Sequence, residues 1–259
     1  NGGLVEVSGL QHLGFDGLVS TLAVGGQAGT LLLDPTNVSI GAGGDITAAA
    51  LLTALGLGNV IIHTNSAGTD TGNIMVLPGA DLTYDSAFSF GMFANGSIVV
   101  DDDIQNAGTG AITLFAGWDG TGVGDFSFDP TMPGVLPDAI TETAAIDAAT
   151  VLGGAYGAWG QNGGNIKLND SAVDAVSVGS AHGETNLFGG AISVQGGNGN
   201  DRPGQVAYRT ATVNPDGDIN VYAKFFINID SGGGSTNANG RVDSHAMIGH
   251  GGSNHNGMS

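Results

Sequence analysis

The chain has 259 residues, of which 48 are glycine and none is cysteine, and its formal net charge is −19. The hydrophobic share of 41% is too high for a disordered linker, and the lack of a Gly-X-Y period excludes collagen. Without cysteine, disulfides, thiol catalysis and thiolate metal sites are excluded. The 24 acidic residues against five basic ones would repel nucleic acid and anionic membranes.

The N-terminal part of the chain alternates short apolar runs with glycine-rich turns. We predict a strand over residues 4–7, and two strands joined by a Pro-Thr-Asn turn over residues 29–40. Residues 45–57 (DITAAALLTALGL) are the best helix candidate because they are rich in Ala and Leu and because Asp45 would cap the helix. The alternative for this segment is a loop followed by a strand, with small residues at a corner.

Residues 58–117 carry the strongest strand signals. Short runs rich in Val and Ile follow one another, each bounded by Gly, Asn, Asp or Pro, and no helical spacing links them. This pattern is typical of an all-β fold such as a sandwich, barrel, propeller or solenoid. The runs are GNVIIHT (58–64), NIMVLPGADLTY (73–84), FSFGMFA (88–94), SIVVDDDI (97–104) and AITLFAG (111–117).

Residues 118–165 break this rhythm. Pro130, Pro133 and Pro137 lie close together, which argues against a central strand, and residues 141–151 favour a short helix. We therefore predict a loop or short-helix insertion carried on the scaffold. Long loops of this kind often carry function.

The strand rhythm resumes after residue 165. A recurring form, I-x-V or I-x-L after a turn residue, has irregular spacing that favours the coils of a β-solenoid over a propeller. Glycine, asparagine and aspartate would turn the corners. At about 20 residues per coil, residues 1–259 would form a single elongated unit of on the order of a dozen coils, about 60 Å long. The recurring form begins at Ile74, Ile98, Ile112, Ile166, Ile192 and Ile219.

Four phrases carry a family resemblance: GTLLLDPTNVSIG (29–41), GNVIIHT (58–64), SIVVDDDI with GAITLFAGWDG (97–104 and 110–120), and MIGHGG (247–252). Together they resemble the haemagglutinin-type exoproteins of two-partner secretion, a family of large adhesins that includes filamentous haemagglutinin. The resemblance implies a right-handed parallel β-helix. It also implies an adhesive or structural role without catalysis, in a protein secreted or displayed on the surface of a Gram-negative bacterium.

The same resemblance implies partners for the chain. These are a receptor or glycan on a host or neighbouring cell, and an outer-membrane transporter. The family's N-terminal secretion domain has no counterpart here, so we expect an interior piece of a longer rod. Exposed end coils would then favour end-to-end self-association.

Acidic residues provide the candidate metal ligands. Asp101, Asp102 and Asp103 would converge only at a corner, because consecutive strand residues alternate faces, and Ca²⁺ takes several oxygen ligands. A solvated turn is the alternative. GGNGND (196–201), which ends in Asp201, matches the start of a calcium-binding nonapeptide repeat, but one copy cannot build the shared site. Apart from Ca²⁺ at these residues, no cofactor is predicted.

The histidines near the C-terminus and the acidic residues of the insertion offer two further candidate sites. His245, His250 and His255 are evenly spaced, but the glycines between them argue against a helix that would bring them together. A carbohydrate-active β-helix enzyme, either a hydrolase or a lyase, is the main alternative function, although the basic groups that lyases use are scarce. A calcium-stiffened repeat protein is the other alternative. The residues of the enzyme alternative are Asp119, Asp125, Asp129 and Asp138, with Trp118 and Trp159.

Overall fold

The computed structural model shows a parallel β-helix, which confirms the predicted fold class. Every strand pairing within the described residues is parallel. Most of the predicted insertion lies outside these residues. The structure describes residues 2–9, 13–65, 70–117, 164–172, 174–198, 202–209, 214–232 and 244–250.

Short strands dominate, and none of the described residues forms a helix long and apolar enough to span a membrane. In chain order the elements are β1 (Leu4–Gly9), β2 (Thr30–Pro35), β3 (Val38–Ile40), α1 (Ala48–Leu55), β4 (Asn59–Thr64), β5 (Ile74–Val76), β6 (Leu82–Tyr84), β7 (Phe90–Ala94), β8 (Ile98–Val100), β9 (Ile104–Asn106), β10 (Ile112–Ala116), β11 (Ile166–Leu168), β12 (Val176–Ser180), β13 (Thr185–Gln195), β14 (Gly204–Val206), β15 (Ile219–Asp230) and β16 (Ala246–Ile248).

The strands form three faces. The first face stacks β1, β2, β4, β7, β10 and the first halves of β13 and β15. The second face stacks β3, β5, β8, β11 and the second halves of β13 and β15, because both long strands turn the corner. The third face stacks β6, β9, β12, β14 and β16.

The described residues form seven coils, fewer than the dozen or so predicted for the whole chain. The reason is that some corners hold long connections, which lengthen the coil without adding height. Strands β10 and β11, for example, belong to the same coil although residues 118–163 separate them. At about 4.8 Å per coil, the described stack is roughly 29 Å tall.

The recurring isoleucines mark equivalent positions on the stack. Ile74, Ile98, Ile166 and Ile192 lie directly above one another on the second face, and all four are fully buried. Ile112 and Ile219 occupy the corresponding position on the first face. Apolar columns of this kind fill the narrow interior, so the I-x-V pattern records the register of the coils.

The helix α1 was one of the two alternatives left open for residues 45–57, but its predicted cap was wrong. Thr47 caps the helix and its hydroxyl accepts a hydrogen bond from Ala50 N, 3.2 Å away. The carboxylate of Asp45 instead accepts bonds from Ser39 N and Oγ at 2.9 and 2.7 Å. Because α1 packs against β4 and β6, it covers the N-terminal end of the third face.

Polar side chains tie each coil to the next at the corners. On entry to the second face, Asn37 Oδ1 accepts from Asn73 N at 2.7 Å, and Asn73 Oδ1 accepts from Ser97 N at 2.8 Å. The series continues as Ser97 Oγ accepts from Asn165 N, and Asn165 Oδ1 from Ala191 N, at 3.1 and 2.9 Å. These bonds satisfy backbone N–H groups that would otherwise be unpaired at the turn.

Asn106→Ala is expected to destabilise the fold by about 3 kcal/mol, because a buried amide that bonds four backbone groups is removed. The side chain is fully buried; Oδ1 accepts from Ser86 N and Gly108 N, and Nδ2 donates to Ser86 O and Gly110 O. Urea unfolding measures the change. The exposed Asn65→Ala is the control and should change stability by less than about 0.5 kcal/mol. Equal effects of the two variants would contradict this role for Asn106.

Gly110→Ala is expected to cost at least about 2 kcal/mol, because backbones of adjacent coils leave no room for a side chain. A β-carbon at this position would lie only 1.9 Å from Phe88 O. Gly3→Ala is the matched control, since no atom lies within 4 Å of its β-carbon position. Thermal unfolding of both variants tests this, and a wild-type melting temperature for Gly110→Ala would disprove it.

Candidate functional site

The three consecutive aspartates lie at the corner between the second and third faces, and they do not converge. Asp101 Oδ1 accepts a hydrogen bond from Ser171 N at 2.9 Å, in the next coil. Asp102 Oδ1 accepts from the adjacent Asp103 N at 2.7 Å. Their oxygens therefore join coils and shape the turn. Within the described residues no group of three His, Cys, Asp or Glu side chains is placed to hold a metal ion.

The glycine-rich segment 196–201 is described only in part. Gly197 N donates to Arg202 O and Asn198 N donates to Ala172 O, each at 2.7 Å. Asp201 lies outside the described residues. A metal-binding role for Asp201 therefore stays a prediction.

Asp103 is the centre of the most developed polar cluster in the described part of the chain. Its carboxylate accepts from Ser177 N at 2.7 Å and from Arg209 Nη2 at 2.9 Å. Burial raises the pKa of Asp103, while the Arg209 charge and the Ser177 bond act in the opposite direction. Asp102 and Asp81 raise that pKa further. The ion pair is mostly buried and links residues 106 positions apart.

The cluster extends along the outer side of the third face. Ser177 pairs in register with Gln205, and both residues are fully buried. Ser177 Oγ and Gln205 Oε1 have no hydrogen-bond partner. The chain around Arg209 folds back over this face, because Arg209 N donates to Gln105 Oε1 at 3.1 Å. Arg209 therefore bonds two residues of the third face and its corner, Gln105 through its backbone and Asp103 through its side chain.

An outer aromatic column runs along the first face. Phe93, Phe115, Phe188 and Tyr222 stack in four successive coils, with ring centroids 6.1, 5.3 and 5.0 Å apart. Strand alternation points these rings away from the core, yet the three phenylalanines are only 0, 4 and 8% exposed. Each aromatic pair of this kind stabilises a fold by about 0.5–1.5 kcal/mol beyond the burial of its surface. The outer side of this face therefore carries a stacked aromatic column whose three phenylalanines are buried.

Of the described histidines, His182 and His250 both bond residues of the Asp216–Gly217 segment. His182 Nδ1 is 2.6 Å from Asp216 Oδ1 in an exposed pair, and this hydrogen bond lowers the pKa of Asp216. His250 Nε2 donates to Gly217 O at 2.6 Å, and β16 separates His250 from His245. His63 lies 3.5 Å from Asp34 on the first face. His255 and the residues of the enzyme alternative, between Trp118 and Trp159, lie outside the described residues.

Sequence reasoning missed the Asp103–Arg209 pair and the outer aromatic column. The pair has no local signal, because its partners meet only after two coils are stacked. The column did have a signal. A triplet of apolar residue, Phe and small residue recurs at 92–94, 114–116 and 187–189.

Comparison with known proteins gives no further identification. No protein-family model, no curated protein and no solved structure matches this chain.

Asp103→Asn is expected to change how stability depends on pH. Because the pKa of Asp103 is raised above 3.8, the folded state binds a proton more readily than the unfolded chain. The wild type therefore loses stability as the pH rises from about 4 through the raised pKa, whereas asparagine does not titrate.

The measurement for this prediction is the unfolding free energy in urea at a series of pH values. The variant should gain stability relative to the wild type over that range and then reach a constant difference. A difference that does not vary with pH would show that Asp103 has no raised pKa.

Proposed function

We propose that this chain is a non-catalytic structural and adhesive segment of a large bacterial adhesin or surface filament. The parallel β-helix supports this proposal, because stacked coils make a stiff carrier on which loops are displayed. The observation that carries it is that polar side chains at the corners hydrogen-bond the backbone of the neighbouring coil. At the described corners they bond the backbone of neighbouring coils, as in the series from Asn37 to Asn165.

The proposal extends to location and partners. The protein acts outside the cell, secreted or on the surface of a Gram-negative bacterium, and an outer-membrane transporter exports it. Its partner is a receptor or glycan on a host or neighbouring cell. The family resemblance of the sequence phrases supports these points, as does an acidic composition that favours solubility.

The contacting element proposed is the segment between Gly117 and Gly164. These two glycines lie against each other at one corner, since a β-carbon on Gly164 would fall 2.1 Å from Gly117 N. Gly117 N donates to Gly96 O, and Gly190 N donates to Gly164 O, at 2.9 and 2.7 Å. The described coil is therefore continuous on both sides of the segment.

Replacing residues 118–163 by a short Gly-Ser linker is expected to preserve the β-helix and to abolish binding to target cells. The strand pairings described above all lie outside the segment, so circular dichroism and cooperative unfolding should be retained. A variant carrying an unrelated flexible segment of equal length is the control for spacing. Binding by the deletion variant at the wild-type level would show that another surface makes the contact.

Two measurements separate the proposal from its alternatives. Turnover of acidic or neutral glycans, lost in Asp125→Ala or Asp129→Ala, would replace it by a carbohydrate-active enzyme. A lower melting temperature after chelation would favour the calcium-stiffened repeat, since a ligand that binds only the folded state raises stability. The adhesin proposal expects no turnover and an unchanged melting temperature.

A further inference from the structure

The outer side of the first face is buried along two neighbouring columns of side chains. In the outer aromatic column Phe93, Phe115 and Phe188 are 0, 4 and 8% exposed. In the column beside it Thr113 and Asn186, which pair in register, are 2 and 0% exposed. Strand alternation points all these side chains away from the core. Their burial therefore requires atoms that lie outside the stack.

The second face shows that stacking alone does not bury an outward side chain in this fold. Its outward residues also lie one above another, yet Met75 is 41% exposed and the other three are half-buried. The column consists of Met75, Val99, Lys167 and Ser193. The difference between the two faces indicates that a further layer covers the outer side of the first.

This cover is centred on the coils of β7 and β10. On one side of Phe93 the column continues to His63, whose side chain is 13% exposed, and at the other end Tyr222 is half-buried. Among the described elements, the main contacts of β10 are with the adjacent strands of its own face and with β8, β11 and β12 of the other two faces. The cover on the outer side therefore comes from residues outside the described ranges.

Residues 118–163 have the position, length and composition that this cover requires. They leave the first face at Gly117, two residues after Phe115, and return at Gly164 in the same coil. The other gaps between the described ranges are far shorter, and the longest of them, 233–243, follows β15 at the end of the column where burial declines. Aromatic side chains bury a large apolar area and pack well against other rings. Those of the segment are Trp118, Phe126, Phe128, Tyr156 and Trp159.

We infer that residues 118–163 pack over the outer aromatic column, which is thus the docking surface for this chain's own segment. Contact between the aromatic residues of the segment and the column removes apolar surface of both from water. The segment is then anchored along the first face close to the corner from which it leaves. This inference does not depend on the proposed function, because its tests use no target cell.

Tryptophan fluorescence of the full chain tests the inference, because both tryptophans, Trp118 and Trp159, lie in the segment. Phe115→Asp places a charge beneath the cover and should shift the emission to longer wavelength and increase quenching by acrylamide. Met75→Asp is the matched control on the outer side of the second face and should leave the emission unchanged. Circular dichroism verifies that both variants are folded. Unchanged emission in Phe115→Asp, or an equal shift in Met75→Asp, would overturn the inference.

Thiol labelling tests the cover directly, because the chain has no cysteine of its own. Phe115→Cys should react with a disulfide reagent more than about tenfold more slowly than Met75→Cys, since only local opening exposes it. Replacing residues 118–163 by a Gly-Ser linker should remove this difference. Slow labelling that persists in the linker variant would assign the cover to other residues. A labelling rate that falls with rising protein concentration would assign it to a second copy, and either result would refute the inference. Should the linker variant fail to fold, the fluorescence of the full chain decides.

Discussion

The structure depends on register between coils. A parallel strand on one coil must lie directly over its equivalent on the next, so that apolar side chains meet inside and polar ones meet at the corners. The column through Ile74, Ile98, Ile166 and Ile192 shows how apolar side chains meet inside the stack. The hydrogen bonds from Asn37 to Ala191 show how polar side chains meet the backbone at the corners, since each side chain accepts from an N–H group of the following coil. A slip by one residue would lose both sets of contacts together.

Part of this arrangement could be predicted from the sequence. The class of fold followed from β-branched runs between turn residues, and the isoleucine motif identified positions that the structure places at equivalent levels. The number of coils could not be predicted, because sequence spacing does not separate a long corner from an extra coil. The cap of α1 was misassigned for a local reason. Asp45 was nearer the predicted start, but its carboxylate bonds Ser39 across the turn and leaves Thr47 at the helix end.

The candidate site was less predictable than the fold. The aspartates at 101–103 were candidate metal ligands in the sequence, but their carboxylates accept hydrogen bonds from the following coil and from their own turn. Asparagines at corners, which the sequence suggested only as turn formers, proved to be specific acceptors and donors, as at Asn106. Such roles require knowledge of which coil lies above which. The outer aromatic column could have been found, because its triplet recurs on equivalent strands.

The Asp103–Arg209 ion pair has a mechanical consequence. Asp103 precedes β9 in one coil, and Arg209 follows β14 two coils later, so the pair bridges the intervening coil that contains β12. A force that pulled the C-terminal end away along the chain would detach the last coil strand by strand. The Asp103–Arg209 ion pair would then have to break before the next coil could detach. Resistance to tension along the stack is therefore expected to rise where this ion pair spans three coils.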